Sequence, residues 1–314
     1  KSRSRGLGDV YKRQAINDQK LRQHLSKIIL VSSSKVIEGA ISAIGVKQKI
    51  NHISDIKNAQ PDSINLINVD GCKDFVLGEP TLNNSEFIVD CLSKAADLAH
   101  TNSSCLVTGP LNKSIIQKHV QNFTGHTEFL KRKFNTHEVL MYMTNGNLHL
   151  GILTTHIPLK DVPNAISRDL IKNKYKLLHH GLMDIFKLAS PKIAVLGINP
   201  HAGEFGTIGN EEQNTILPAI DELRHEGYDA YGPVSADTVF TQTKYDAVLS
   251  MYHDQALPVL KTIDFNKTVN ITLGLPFLRV SVDHGTAEDI AKSYSANYES
   301  MMEALLISIA RNEA

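Results

Sequence analysis

From about residue 27 onward, short β-branched runs alternate with longer segments whose apolar residues recur at helical spacing, and this alternation constrains the fold more than any other feature. Lys27-Ile28-Ile29-Leu30-Val31 reads as a strand closed by Ser32-Ser33-Ser34. A helix over 35–44 and a strand over 64–69 repeat the pattern. Within 85–100, Phe87, Ile88, Cys91, Leu92, Ala95 and Ala96 fall on one helical face. Strands are expected over 105–107, 139–142, 151–155, 193–196, 247–250 and 269–274, and helices over 129–134, 167–188, 210–224 and 298–311. Such repetition predicts an α/β fold of mostly parallel sheets with helices on both faces. At 314 residues the chain is long enough for two lobes or one large domain.

Three of these strands run into histidine. Residues 151–155 lead to His156, Ile193-Ala194-Val195-Leu196 leads through Gly197-Ile198-Asn199-Pro200 to His201, and Ala247-Val248-Leu249 leads through Ser250-Met251-Tyr252 to His253. In open α/β sheets ligands bind beyond the carboxyl ends of the strands. Neutral imidazole ligates zinc and other divalent first-row metals. His156, His201 and His253 are therefore expected to hold one divalent ion, zinc first, with magnesium, cobalt or manganese as substitutes. Asp254 is placed to orient an imidazole, and Asp237 is a further contact candidate. A lone histidine among fourteen is ordinarily a surface or hydrogen-bonded residue; three at matching strand ends are not so easily dismissed.

Two strand-to-helix turns carry polar chemistry. Thr108-Gly109-Pro110-Leu111-Asn112-Lys113 would suit an anion at a helix N-terminus, or is an ordinary tight turn, since it lacks phosphate-loop spacing. In Gly125-His126-Thr127-Glu128, the last two residues read equally well as helix-capping groups.

Lys plus Arg equals Asp plus Glu, 33 each, so nothing points to a nucleic-acid or membrane surface. No segment approaches the roughly 18 apolar residues of a spanning helix. Cys72, Cys91 and Cys105 are odd in number and lack ligand spacing, which predicts reduced core thiols in a cytoplasmic protein. The first fourteen residues, Lys1 to Gln14, hold five Lys or Arg and one Asp, so without them the balance is 28 against 32. They are read as a non-native or disordered segment.

Five motifs in order, Gly125-His126-Thr127-Glu128, Thr154-Thr155-His156-Ile157-Pro158-Leu159, Asn199-Pro200-His201-Ala202-Gly203-Glu204, Tyr252-His253-Asp254-Gln255 and Asp283-His284-Gly285-Thr286-Ala287, resemble the 4-hydroxythreonine-4-phosphate dehydrogenase family of pyridoxal phosphate biosynthesis. The resemblance covers about residues 20 to 314. It implies two α/β domains of isocitrate and isopropylmalate dehydrogenase-like architecture, 15–115 with 275–314 and 116–274. It also implies a cytoplasmic homodimer whose interdomain active sites borrow residues from the partner subunit.

His156, His201 and His253 match the family's metal ligands. His126, Thr127, Lys261, Asn270 and Arg279 match positions that hold the phosphorylated hydroxy amino acid substrate, and Lys261 joins the histidines as a catalytic group. Asp283, His284, Gly285 and Thr286 resemble the adenosine-side loop for NAD or NADP, the glycine allowing close backbone approach. The implied reaction is oxidation of the 3-hydroxyl of 4-phosphohydroxy-L-threonine with decarboxylation to 3-amino-2-oxopropyl phosphate.

A paralogue acting on 4-phospho-D-threonate or 4-phospho-D-erythronate would share these residues. A metal-dependent hydrolase would use the histidines alone and leave 283–287 unexplained. Two features depart from the family: its N-terminal strand and glycine-rich turn have no counterpart here, and Lys292-Ser293-Tyr294 replaces a glycine-containing loop. The first departure predicts lower stability and slower hydride transfer than in a relative possessing that turn.

Overall fold

The computed structural model describes residues 18–45, 47–76, 82–121, 123–283, 285 and 297–313. The segment 1–14, His284, Thr286, Ala287 and residues 292–294, all singled out above, lie outside the described residues. The strands are β1 (Ile29–Ser32), β2 (Lys49–His52), β3 (Ser63–Asn68), β4 (Leu106–Thr108), β5 (Leu140–Thr144), β6 (His149–Thr154), β7 (Ile193–Leu196), β8 (Ala230–Val234), β9 (Ala247–Tyr252), β10 (Val269–Leu273) and β11 (Arg279–Val282).

The chain divides into two compact units, Lys1–Asn135 with Pro276–Ala314, and Thr136–Leu275. The first crossing falls after residue 135, not after 115 as the sequence reading has it. Aromatic packing accounts for the difference: Phe129 lies against Phe123, and Phe134 packs edge-on against both His100 and Phe277. The helix His126–Lys133 is thereby bound to the first unit.

In the first unit β1, β3 and β2 form a parallel sheet in that order, and β4 pairs in parallel with β11. The helix Ser34–Ile44 starts where Ser33 accepts a bond from the Val36 amide, and stops at Gly45, whose φ of 65° suits a residue without Cβ. Leu30, Ile37 and Leu66 share a core with Met301, Met302, Leu305 and Ile309 of the C-terminal helix Glu299–Glu313. Cys72, Cys91 and Cys105 are half-buried, and so are not the core thiols expected.

The second unit carries the strands in the order β10-β5-β6-β9-β7-β8. β6, β9, β7 and β8 are mutually parallel, whereas β5 runs antiparallel to both of its neighbours. The cause is local: only residues 145–148 join β5 to β6, and a connection that short can link only antiparallel strands. Asn145 Oδ1 accepts from the Asn147 and Leu148 amides, and Gly146 sits at φ 89°. Asn-Gly between apolar runs is a hairpin signal that the sequence reading passed over.

The long helix Arg168–Phe186 buries Ile171, Tyr175, Leu178, Leu182 and Ile185, the stripe its spacing predicts. Elements that went unforeseen include, besides β2 and β11, β8, disguised by Pro233, the π-helical turn Glu212–Ile216 at the start of the expected 210–224 helix, and the helix His253–Ile263, disguised by Pro258. Among the described residues no helix is long and apolar enough to cross a membrane.

Candidate active site

β6, β9 and β7 are adjacent and parallel, so the three histidines follow the carboxyl ends of three neighbouring strands. His156 stands two residues beyond β6, His253 directly follows β9 and opens a helix, and His201 stands five residues beyond β7. The β6–β9 ladder continues to the pair Thr154 and Tyr252. It brings the rings of His156 and His253 to 5.9 Å between centroids, tilted by 44°. That spacing suits two imidazoles facing one ion through bonds of about 2.0–2.1 Å. Asp254 Oδ1 lies 2.6 Å from His253 Nδ1. This pairing favours the tautomer that keeps the proton on Nδ1 and the lone pair on Nε2.

His201 is presented differently. From His201 through Phe205 every residue has positive φ, from 43° to 77°, making a left-handed turn. Four of the five are not glycine, and each such residue costs about 1–2 kcal/mol in this conformation. Strain of this kind persists only where its surroundings over-determine it, and it gathers at functional sites.

Glu212 supplies the constraint. Fully buried, its Oε1 accepts from the Ile198 and Asn199 amides at 2.8 Å each, and its Oε2 accepts from Asn199 Nδ2 at 2.9 Å. Gly203 is required by space as well as by its φ of 77°, because a Cβ there would stand 2.5 Å from Glu212 Oε2. Asp237 lies near this turn. The Ser235 hydroxyl, helped by backbone amides and by His201, holds its carboxyl below the usual range.

Among the described residues no group of three or more His, Cys, Asp or Glu side chains is gathered closely enough to hold an ion. His156 and His253 approach each other, and His201 is carried on its own turn. The donor chemistry still fits a divalent metal: three imidazoles follow neighbouring strands, one of them with its tautomer favoured by a carboxylate.

In the first unit charged groups of both signs, Lys113, Glu128 and Arg279, gather near β4 and β11. Arg279 on β11 is 5% exposed, and its Nε and Nη2 donate to Thr108 Oγ1 at 3.2 and 2.9 Å. Burial pushes its pKa down to about 10, against the pull of Glu128, so it is cationic at neutral pH. His126 and Thr127 occupy the first turn of the helix His126–Lys133, whose N-cap is Gly125, with no side chain bonded there. Neither Thr127 nor Glu128 is therefore the cap. The Lys113 side chain lies against Gly125, where a Cβ would meet its Cε at 3.0 Å. A helix N-terminus without a capping side chain, next to Lys and Arg, suits an anion.

The remaining candidates are more scattered. In the second unit Lys261 lies in the helix His253–Ile263 with Nζ 5.8 Å from the Phe265 ring centroid, and Asn270 lies on β10 opposite Met143. Asp283 follows β11. A Cβ at Gly285 would meet open space, so crowding does not demand glycine there.

Histidines at the carboxyl ends of adjacent parallel strands, in a chain of two α/β units, place it among the open-sheet α/β proteins. Residues 24–308 match the family model described as "Pyridoxal phosphate biosynthetic protein PdxA", and the chain belongs to that family. It is similar to the crystal structure of a 4-hydroxythreonine-4-phosphate dehydrogenase from Klebsiella pneumoniae, with 31% identity and a TM-score of 0.88 over 98% of this chain and 95% of that one. The corresponding dehydrogenase from Burkholderia phymatum gives 30% identity and a TM-score of 0.86 over 98% and 94%. A terephthalate 1,2-cis-dihydrodiol dehydrogenase from Burkholderia xenovorans LB400, 22% identical with a TM-score of 0.69 over 96% of each chain, shares the fold. Family membership makes the chain an oxidoreductase of pyridoxal phosphate biosynthesis.

Proposed function

We propose that the chain oxidises the 3-hydroxyl of 4-phosphohydroxy-L-threonine with NAD or NADP, and that the resulting β-keto acid loses carbon dioxide to give 3-amino-2-oxopropyl phosphate. The observation that carries this reading is the placement of three histidines after three adjacent parallel strands in a chain of this family. His156, His201 and His253 would hold the divalent ion, with zinc the first expectation. Once bound, it supplies Lewis-acid polarisation at the reacting carbon–oxygen bond.

The substrate's phosphate is assigned to His126, Thr127 and Arg279, with Lys261 and Asn270 as further substrate contacts. Arg279 offers a planar fork that matches phosphate oxygens, and Lys261 a point charge. Fixing the substrate in this way orients C3 so that its hydride leaves toward the nicotinamide. Asp283, His284, Gly285 and Thr286 are assigned to the adenosine side of the cofactor. The working form is assigned as a cytoplasmic homodimer with shared active sites.

The test is absorbance of reduced nicotinamide with 4-phosphohydroxy-L-threonine, each cofactor and each metal in turn, alongside 4-phospho-D-threonate and 4-phospho-D-erythronate. Nicotinamide reduction that requires the amino acid substrate and stops with chelator is expected. Faster turnover of either sugar acid would transfer the assignment to a paralogue.

A further inference from the structure

The β7–β9 ladder pairs Ile193 with Ala247, Ala194 with Val248 and Val195 with Leu249, and there it ends. Continued in register for two more residues, it would set Gly197 opposite Met251. At that place a side chain stands between the strands. The Met251 amide donates to Gln255 Oε1 at 2.7 Å, and Gln255 Nε2 donates to the Gly197 carbonyl at 2.6 Å. A primary amide offers an acceptor and a donor in one plane, as a peptide group does. Inserted here, it takes the place of a ladder bond and keeps the two strand ends apart by its own width.

The other flank of β9 behaves differently. There the ladder with β6 runs on to Thr154 and Tyr252, and Thr154 Oγ1 donates to the Met251 carbonyl at 2.7 Å. Met251 is therefore bound through its carbonyl to the strand that leads to His156, and through its amide, by way of Gln255, to the strand that leads to His201. Gly197 is followed by the Ile198 and Asn199 amides that buried Glu212 accepts, so displacing the Gly197 carbonyl pulls on the base of the His201 turn.

We propose that Gln255 is a positioning residue that sets the separation between the His201 turn and the His156–His253 pair, an inference that rests on the reading of these histidines as metal donors. Two hydrogen bonds to backbone roughly offset the rotamer freedom that a glutamine side chain loses. Without the amide the buried Met251 N–H and Gly197 carbonyl would be left unpaired, so it governs stability as well as geometry.

The experiment measures cobalt(II) affinity and the visible ligand-field spectrum of the full chain, without substrate or cofactor, together with melting temperature. It compares the parent protein with Gln255→Met, Gln255→Glu, His201→Ala and His253→Ala. Gln255→Met matches the side chain in length and removes both bonds. It should weaken cobalt binding about tenfold or more and change the spectrum at temperatures where the protein stays folded; the melting temperature falls as well, because the buried Met251 amide loses its acceptor. Gln255→Glu keeps the acceptor for the Met251 amide but opposes a carboxylate to the Gly197 carbonyl, and serves where the methionine variant does not fold. Its added negative charge would by itself favour a cation, so weaker binding there also supports positioning.

If the histidine variants lose cobalt while both Gln255 variants bind it with parental affinity and spectrum, the positioning role is overturned and the metal assignment stands. If the histidine variants keep parental affinity, the metal assignment fails and the positioning role falls with it.

Discussion

The two units hold their candidate site residues by opposite means. The first holds a cation in place: Arg279 is buried and tied to a neutral hydroxyl, Thr108, beside a helix terminus that no side chain caps. The second carries imidazoles and spends its conformational energy on backbone, holding His201 on a left-handed turn around the buried carboxylate of Glu212. Charge that is already desolvated can act on an anion without rearrangement of water. Neutral imidazoles depend on direction, and direction comes from backbone geometry. Damage to the first unit should therefore appear in substrate binding, and damage to the second in stability and metal affinity.

The largest separation between the units should come from Glu212→Ala. It leaves the Ile198 and Asn199 amides without their acceptor, and each unsatisfied buried donor costs about 1–3 kcal/mol. A loss of about 4 kcal/mol in urea-measured stability is expected, with cobalt affinity falling in parallel. Retention of both would show that the turn stands without this carboxylate.

Acid should come next, and it should weaken the second unit. Burial lowers the His149 pKa from 6.5 to about 4, and Tyr142 OH and Thr144 Oγ1 lie 2.5 and 3.0 Å from its Nδ1. Between these pH values the unfolded chain binds the proton more readily than the folded one. The stability contribution is thus complete above pH 6.5 and is lost as pH falls toward 4, by about 3 kcal/mol. His149→Gln should flatten that part of the stability–pH curve, and an unchanged slope would remove His149 as its source.

The smallest effect sharpens the contrast from the other side. Arg279→Lys keeps the charge and loses the fork, so the KM for the phosphorylated substrate should rise about 10- to 100-fold. Cobalt affinity should not change. A shift in metal affinity with KM unaltered would reverse the assignments of the two units.

Much of this arrangement is legible in the sequence because it rests on local patterns. Apolar spacing marks the helices Ser85–Thr101 and Arg168–Phe186, and β-branched runs mark β1, β6, β7 and β9. Strand order is a different matter. That β6, β9 and β7 lie side by side, although about 40 to 50 residues separate each from the next along the chain, is decided by pairing. Proline obscured β8 and the helix His253–Ile263, where packing overrides the local preference against it. Glu212 reads in sequence as one carboxylate of an acidic pair and Gln255 as the tail of a histidine motif.

By itself the sequence determined the strand–helix alternation, the histidines at strand ends and the family, because residue types and their near-neighbour spacing carry all three. The tertiary structure alone decided that β5 is antiparallel, that His201 turns left-handed around a buried carboxylate, and that an amide from Gln255 bridges Met251 and Gly197. The β7–β9 ladder unites residues more than fifty positions apart, and Gln255 lies fifty-eight positions from Gly197. Local propensity holds no record of such meetings, and they form only when distant backbone donors and acceptors must find partners in the same buried space.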